Sequence, residues 1–164
     1  MLLSRLDGKE MSQVDSKKKV LLISSSGGHW KQLRRIESAF EGFNKCYATT
    51  NSSYSEFVPN EKFYSLPDAS RWNKFRLIWQ AVNVLWLLIR TRPNVVVTTG
   101  ASVGFFAIFF AKKMYMKTIW LDSIANAEEM SLSGLKVEDY ADLWLTQWEH
   151  LEKPKGPYFY GAVL

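Results

Sequence analysis

The sequence predicts an α/β fold built on a doubly wound parallel sheet, and three features carry that expectation. Apolar runs of four to six residues recur along the chain with longer stretches of helical period between them, the alternation that right-handed βαβ crossovers produce. The first run, KVLLIS at residues 19–24, is apolar almost throughout, as a strand covered on both faces must be. It then breaks off into Ser24-Ser25-Ser26-Gly27-Gly28-His29 before an amphipathic helix begins. Ligands in such sheets bind outside the carboxyl ends of the strands, where this loop falls.

The elements follow in order. From Trp30 to Phe40 the apolar positions Trp30, Leu33, Ile36 and Phe40 keep helical spacing, with Lys31, Arg34 and Arg35 on other faces. Cys46 to Thr50 and Lys62 to Leu66 read as strands, the second closed by Pro67. Trp72 to Arg90 reads as a long helix with Arg76, Gln80, Asn83 and Arg90 forming a polar stripe, stopped ahead of Pro93. Asn94 to Thr99 is a strand, Val103 to Met114 a helix, and Lys117 to Leu121 and Leu143 to Thr146 two more strands. Residues 1–16 are polar and aperiodic and are expected to be a flexible leader, leaving 17–164 as a single domain.

Composition narrows the partners. With 21 Lys and Arg against 16 Asp and Glu, the net charge of +5 favours anionic ligands or acidic lipid headgroups. Hydrophobic residues make up 47 % and aromatics 15 %, enough that some are expected to face lipid or another protein. The one cysteine, Cys46, excludes an internal disulfide and suits a reducing compartment. No secretion signal is visible at the start, and the longest apolar runs, near 84–89 and 103–111, are too short to span a bilayer. Basic residues are scattered instead of interleaved with aromatics, which speaks against nucleic acid. No His, Cys, Asp and Glu cluster has metal-ligand spacing, so neither a metal site nor a cofactor is expected.

Three loops fall at the carboxyl edge. In the first, Ser26, Gly27 and Gly28 offer backbone N–H groups and close approach to a phosphate or sugar, against the plainer reading of a tight strand-to-helix turn. The loop lacks both G-x-G-x-x-G and Gly-Lys-Ser/Thr, and Thr49, Thr50 and Asn51 stand where a dinucleotide fold places its acid, which weighs against NAD or ATP. His29 is placed as a general base or as a polar helix-start residue meeting water. Thr98 to Gly104 repeats the pattern with Gly100, Ser102 and Gly104. Asp122 and Asn126 close the next strand, Asp122 either orienting an acceptor hydroxyl or His29, or capping a turn. Trp72, Trp79 and Trp86 lie seven apart on one side of their helix, and Phe105 and Phe109 precede Lys112 and Lys113. Both sets suit either core packing or contact with a membrane surface.

Taken together, SSSGGHWKQL, TTGASVGFFAIFFAKKM, IWLDSIANAEEMSLSGL, ADLWLTQWEHL and YFYGAVL resemble the Alg14-type glycosyltransferase subunits, over about residues 18–164. The resemblance implies the N-terminal, acceptor half of a GT-B glycosyltransferase, with the donor half on a separate Alg13-like chain that binds a UDP-sugar. It implies a polyprenyl-pyrophosphate-linked saccharide as acceptor, exopolysaccharide or capsule assembly as context, and the cytoplasmic face of the membrane as location. Gly27, Gly28 and His29 would form the acceptor-facing loop and Gly100, Ser102 and Gly104 the second; Asp122 falls where the family commonly has a glutamate. The membrane helix of eukaryotic members has no counterpart here, so amphipathic surfaces or the partner are expected to supply anchoring.

Overall fold

The computed structural model describes residues 18–70 and 72–163. The expected leader, 1–16, lies outside the described residues. Among the described residues seven strands form one sheet: β1 (Lys19–Ser24), β2 (Asn44–Thr49), β3 (Lys62–Ser65), β4 (Val95–Thr98), β5 (Lys117–Leu121), β6 (Leu143–Thr146) and β7 (Tyr158–Phe159). All pair in parallel, in the spatial order β3-β2-β1-β4-β5-β6-β7. The order runs outward in both directions from the β1/β4 pair, so the topological switch point lies between those strands.

Among the described residues four α-helices cover the sheet: α1 (Gly28–Ile36), α2 (Lys74–Thr91), α3 (Ala101–Lys113) and the short α4 (Leu132–Lys136). Because successive side chains alternate across a strand, β1 feeds two cores. Leu21 and Ile23 pack with Val96, Trp120 and the inner faces of α2 and α3, while Val20 and Leu22 pack with Trp30, Leu33, Tyr47 and Val58 on the α1 side.

The termini of α2 follow local chemistry. The Asn73 side chain accepts the Arg76 N–H at 3.0 Å as an N-cap. Arg92 turns left-handed at φ 44° and returns its N–H to the Leu88 carbonyl at 2.9 Å, just ahead of Pro93. One sequence expectation is corrected here: Gln80 does not belong to an exposed polar stripe with Arg76, Asn83 and Arg90. It is buried, donates to the Pro67 carbonyl at 2.9 Å and accepts from Ser102 Oγ at 2.7 Å. α1 gives way to a 3-10 turn at Glu37–Phe40 instead of running on as α-helix to Phe40.

Candidate active site at the carboxyl edge

A cleft of about 700 Å³ opens at the switch point, within the size range of ligand sites. His29 of α1, Ser102 at the start of α3, and Ser123 and Asn126 after β5 supply polar walls. Leu77, Phe105, Phe106, Met130 and Leu132 supply an apolar one. Glu129 and Lys136, one carboxylate and one ammonium, complete the titratable lining.

His29 is held by one residue through two bonds. Its ring Nδ1 lies 2.6 Å from the Thr99 carbonyl. A carbonyl only accepts, so Nδ1 carries the proton and Nε2 is left as the ring's basic nitrogen. Thr99 Oγ1 in turn donates to the His29 carbonyl at 2.7 Å. The adjoining Gly100 adopts φ 124° and ψ −160°, a region that side chains exclude. A Cβ at that position would stand 2.8 Å from His29 Cε1. Ala101, which lines the cleft, also has a positive φ of 66°.

The first loop is arranged differently from an anion cradle in which every amide points at ligand. The Ser26 N–H donates to Thr50 Oγ1 at 3.1 Å and the Gly27 N–H to the Tyr54 hydroxyl at 3.2 Å, so both are engaged within the fold. Gly27 turns the chain into α1 with φ 76°. Gly28 opens α1 with nothing within 4 Å of where a Cβ would stand, so its surface is bare.

Three other expected site residues have structural tasks. Gly104 is buried inside α3, where a Cβ would meet Thr98 Oγ1 at 2.3 Å; it brings α3 close to β4 and does not reach the cleft. Ser102 lines the cleft but donates to Gln80. Asp122 is buried, and its carboxylate accepts from Ser131 Oγ at 2.6 Å, Ser131 N–H at 2.8 Å, Asn126 Nδ2 at 3.2 Å and Trp120 Nε1 at 3.3 Å. It fixes the loop between β5 and α4 from beneath, and the Thr99 carbonyl holds His29 instead of Asp122. Asn126 lines the cleft through this loop.

A buried amide pair lies under the same loops. Gln32 Nε2 donates to Ser123 Oγ at 3.1 Å and to the Gly28 carbonyl at 3.3 Å, while its Oε1 accepts from Ile124 N–H at 3.0 Å and Gln147 Nε2 at 2.6 Å. Gln147 Nε2 also donates to the Asp122 carbonyl at 2.8 Å, joining α1, β5 and β6. Thr99, Ser123 and Glu129 fall in the carboxyl-edge loops but had been given no role, and Gln32, Lys136 and Gln147 were missed in the sequence. Of the missed three, Gln32 left a signal, as a polar residue beside Leu33 on the inner side of an amphipathic helix.

The expected membrane contacts divide. Trp79 and Trp86 stand exposed on α2, whereas Phe105 and Phe109 are half-buried within the fold. Lys112 is paired with Asp142 at 2.5 Å, and Lys113 lies 5.9 Å from the Phe109 and Tyr140 ring centres. α3 is packed among α2, α4 and the sheet, which engages one side of its aromatics and leaves Lys113 exposed. Cys46 offers no nucleophile, since burial pushes its thiol up to about 11. Among the described residues no group of three or more His, Cys, Asp and Glu could hold a metal ion, and no helix is long and apolar enough to cross a membrane.

The fold defines the class: a Rossmann-like α/β unit matching the N-terminal halves of GT-B glycosyltransferases. MurG from Acinetobacter baumannii superposes with a TM-score of 0.64 at 12 % identity, covering 90 % of this chain and 45 % of that one. A UDP-N-acetylglucosamine 2-epimerase from Rickettsia bellii gives 0.63 at 15 % identity, covering 81 % and 39 %. A glycosyltransferase from Rickettsia africae gives 0.52 at 12 % identity, covering 76 % and 33 %. The chain thus spans less than half the length of each. No curated protein matches it by sequence. The family model for oligosaccharide biosynthesis protein Alg14-like proteins matches residues 68–163, and the chain belongs to that family.

Proposed function

We propose that the chain is the acceptor-binding subunit of a two-chain inverting glycosyltransferase, working at the cytoplasmic face of a membrane in polysaccharide assembly. Its donor-binding partner would be an Alg13-like chain carrying a UDP-sugar, and its acceptor a polyprenyl-pyrophosphate-linked saccharide. The observation that supports this most is the clamped imidazole at the switch-point cleft: Thr99 fixes the tautomer and Gly100 leaves the ring room. With Nε2 as base, an acceptor hydroxyl loses its proton as its oxygen bonds to the anomeric carbon. The bond from that carbon to the UDP phosphate oxygen breaks, and the configuration inverts. The cleft's polar wall suits a saccharide and its apolar wall the lipid end of such an acceptor.

The test is transfer by the chain co-expressed with its donor partner. His29→Gln is expected to lower turnover by about 100-fold or more while the two chains still co-purify. A product with retained configuration would sink the inverting mechanism. The second reading, a scaffold that only positions a catalytic partner, draws support from Asp122 and Ser102 being engaged within the fold. It requires turnover to survive His29→Gln.

A further inference from the structure

We infer that Ser123 is a further binding residue of the cleft, its hydroxyl proton kept for an oxygen of the acceptor saccharide by two buried amides, Gln147 and Gln32. This rests on the reading of the chain as an acceptor-binding subunit. Ser123 follows β5 and lines the cleft, and like both amides it is more than nine-tenths buried. A hydroxyl oxygen has two lone pairs and one proton. Both lone pairs are taken within the fold: Gln32 Nε2 donates to Ser123 Oγ at 3.1 Å and the Ala125 N–H at 3.3 Å. Among the described residues nothing accepts the proton, and a buried donor of this kind calls for a partner.

Backbone groups fix this direction at every stage. Gln147 Oε1 accepts the Val163 N–H at 2.8 Å, and Gln147 Nε2 donates to the Asp122 carbonyl at 2.8 Å. An N–H never accepts and a carbonyl never donates, so turning this amide over would set like against like at both ends. Its Nε2 therefore also meets Gln32 Oε1, at 2.6 Å. The second amide is fixed in the same way, by the Ile124 N–H on its Oε1 at 3.0 Å and the Gly28 carbonyl on its Nε2 at 3.3 Å. It presents Nε2 to Ser123 and can only donate there. The Ser123 proton has no amide oxygen to turn to, and the cleft is the side left to it. The lining then offers one proton acceptor, His29 Nε2, and one proton donor, the Ser123 hydroxyl. A sugar, whose hydroxyls both give and accept protons, suits that combination, whereas a phosphate oxygen only accepts.

The experiment is transfer by the chain with its donor partner, using lipid-linked saccharides extracted from the host's membranes. Ser123→Ala is expected to raise KM for the acceptor about 3- to 10-fold, the loss of one hydrogen bond, with KM for the UDP-sugar unmoved and kcat changed less. Ser123→Cys, a weaker donor at the same place, should fall between. Gln32→Glu keeps the shape but sets a carboxylate oxygen against Ser123 Oγ, which then takes the proton from the cleft. Its KM defect should match that of Ser123→Ala, and the double variant should add nothing further. Exchange of the Ile124 N–H should stay as slow in Ser123→Ala as in wild type, showing that the loop is intact. Inhibition by the free saccharide, released by mild acid, should weaken in Ser123→Ala while inhibition by inorganic pyrophosphate does not. An unmoved acceptor KM in Ser123→Ala, or the reverse pattern of inhibition, overturns the proposal. A wild-type pair that transfers no sugar sinks the functional reading and this inference with it, whereas transfer with an unmoved KM sinks this inference alone.

Discussion

The imidazole of His29 occupies the space that a side chain at Gly100 would need: a Cβ there would lie 2.8 Å from Cε1 and 3.1 Å from Nδ1. The two residues are far apart in sequence, and β1 and β4 bring them together by pairing directly, Ile23 opposite Thr98. Gly100→Ala is therefore expected to displace the ring from the Thr99 carbonyl and to strain a backbone at φ 124°. Transfer should fall at least as far as for Thr99→Val, which removes only the hydroxyl bond to the His29 carbonyl. The strain should cost about 1–3 kcal/mol of stability, read by denaturant unfolding. Full activity in Gly100→Ala would show that the position of His29 does not matter.

Two other glycines separate ligand access from packing. Gly28 has open space around its missing Cβ and a helical backbone, so Gly28→Ala should leave stability unchanged or slightly raised. A loss of transfer in that variant would then report a ligand approaching the loop. Gly104→Ala would drive a methyl into Thr98 Oγ1 at 2.3 Å, and the close contact between α3 and β4 should open at a cost of about 1–3 kcal/mol. Paired thermal unfolding and transfer measurements distinguish the two cases.

The sheet was legible because parallel strands announce themselves as apolar runs; β5 and β6 occupy the stretches expected from sequence, Lys117–Leu121 and Leu143–Thr146. The carboxyl-edge loops followed from topology alone. What was not legible depends on contacts between distant residues. Nothing near Gln80 in sequence says that the Pro67 carbonyl will accept from its amide and the Ser102 hydroxyl donate to it, so it read as part of a polar stripe. Asp122 looks the same in sequence whether it meets a ligand or four internal donors. α4 is five residues long and β7 two, too short for any periodicity to register. The glycines were ambiguous for a related reason: Gly100 and Gly104 share a loop-like string, yet one accommodates a catalytic candidate and the other a strand.

A pH dependence follows from Asp142. Partial burial opposes its ionisation, but hydrogen bonds from Lys112 and from the Thr118 N–H and hydroxyl outweigh that and hold its pKa below the ordinary aspartate range. A depressed folded-state pKa gives stability that is present above the unfolded value and lost as pH falls through the folded one. Asp142→Asn is expected to cost about 1–2 kcal/mol near pH 7, the scale of a few charge-assisted hydrogen bonds on a partly exposed pair. The difference from wild type should shrink below about pH 4. Chemical denaturation across pH checks this; a gap that persists undiminished in acid would assign the effect to packing.

Asp122→Asn tests whether the β5–α4 loop is held by charge or only by shape. The substitution keeps the volume but turns one acceptor oxygen into an amide donor, facing either Ser131 Oγ and Trp120 Nε1 or the Ser131 N–H and Asn126 Nδ2. A buried donor set against a donor costs about 1–3 kcal/mol, and the loop carrying Ser123, Asn126 and Met130 along the cleft should loosen. Hydrogen exchange at Ser131, whose N–H is bound to the carboxylate, should quicken more than exchange in β1. Because the carboxylate is turned inward, the kinetic defect should be mainly in KM for the acceptor, with kcat changed less. If kcat alone collapsed while the loop stayed protected, Asp122 would have to reach the reacting atoms by a rearrangement, and the assignment of the base to His29 would need to be revised.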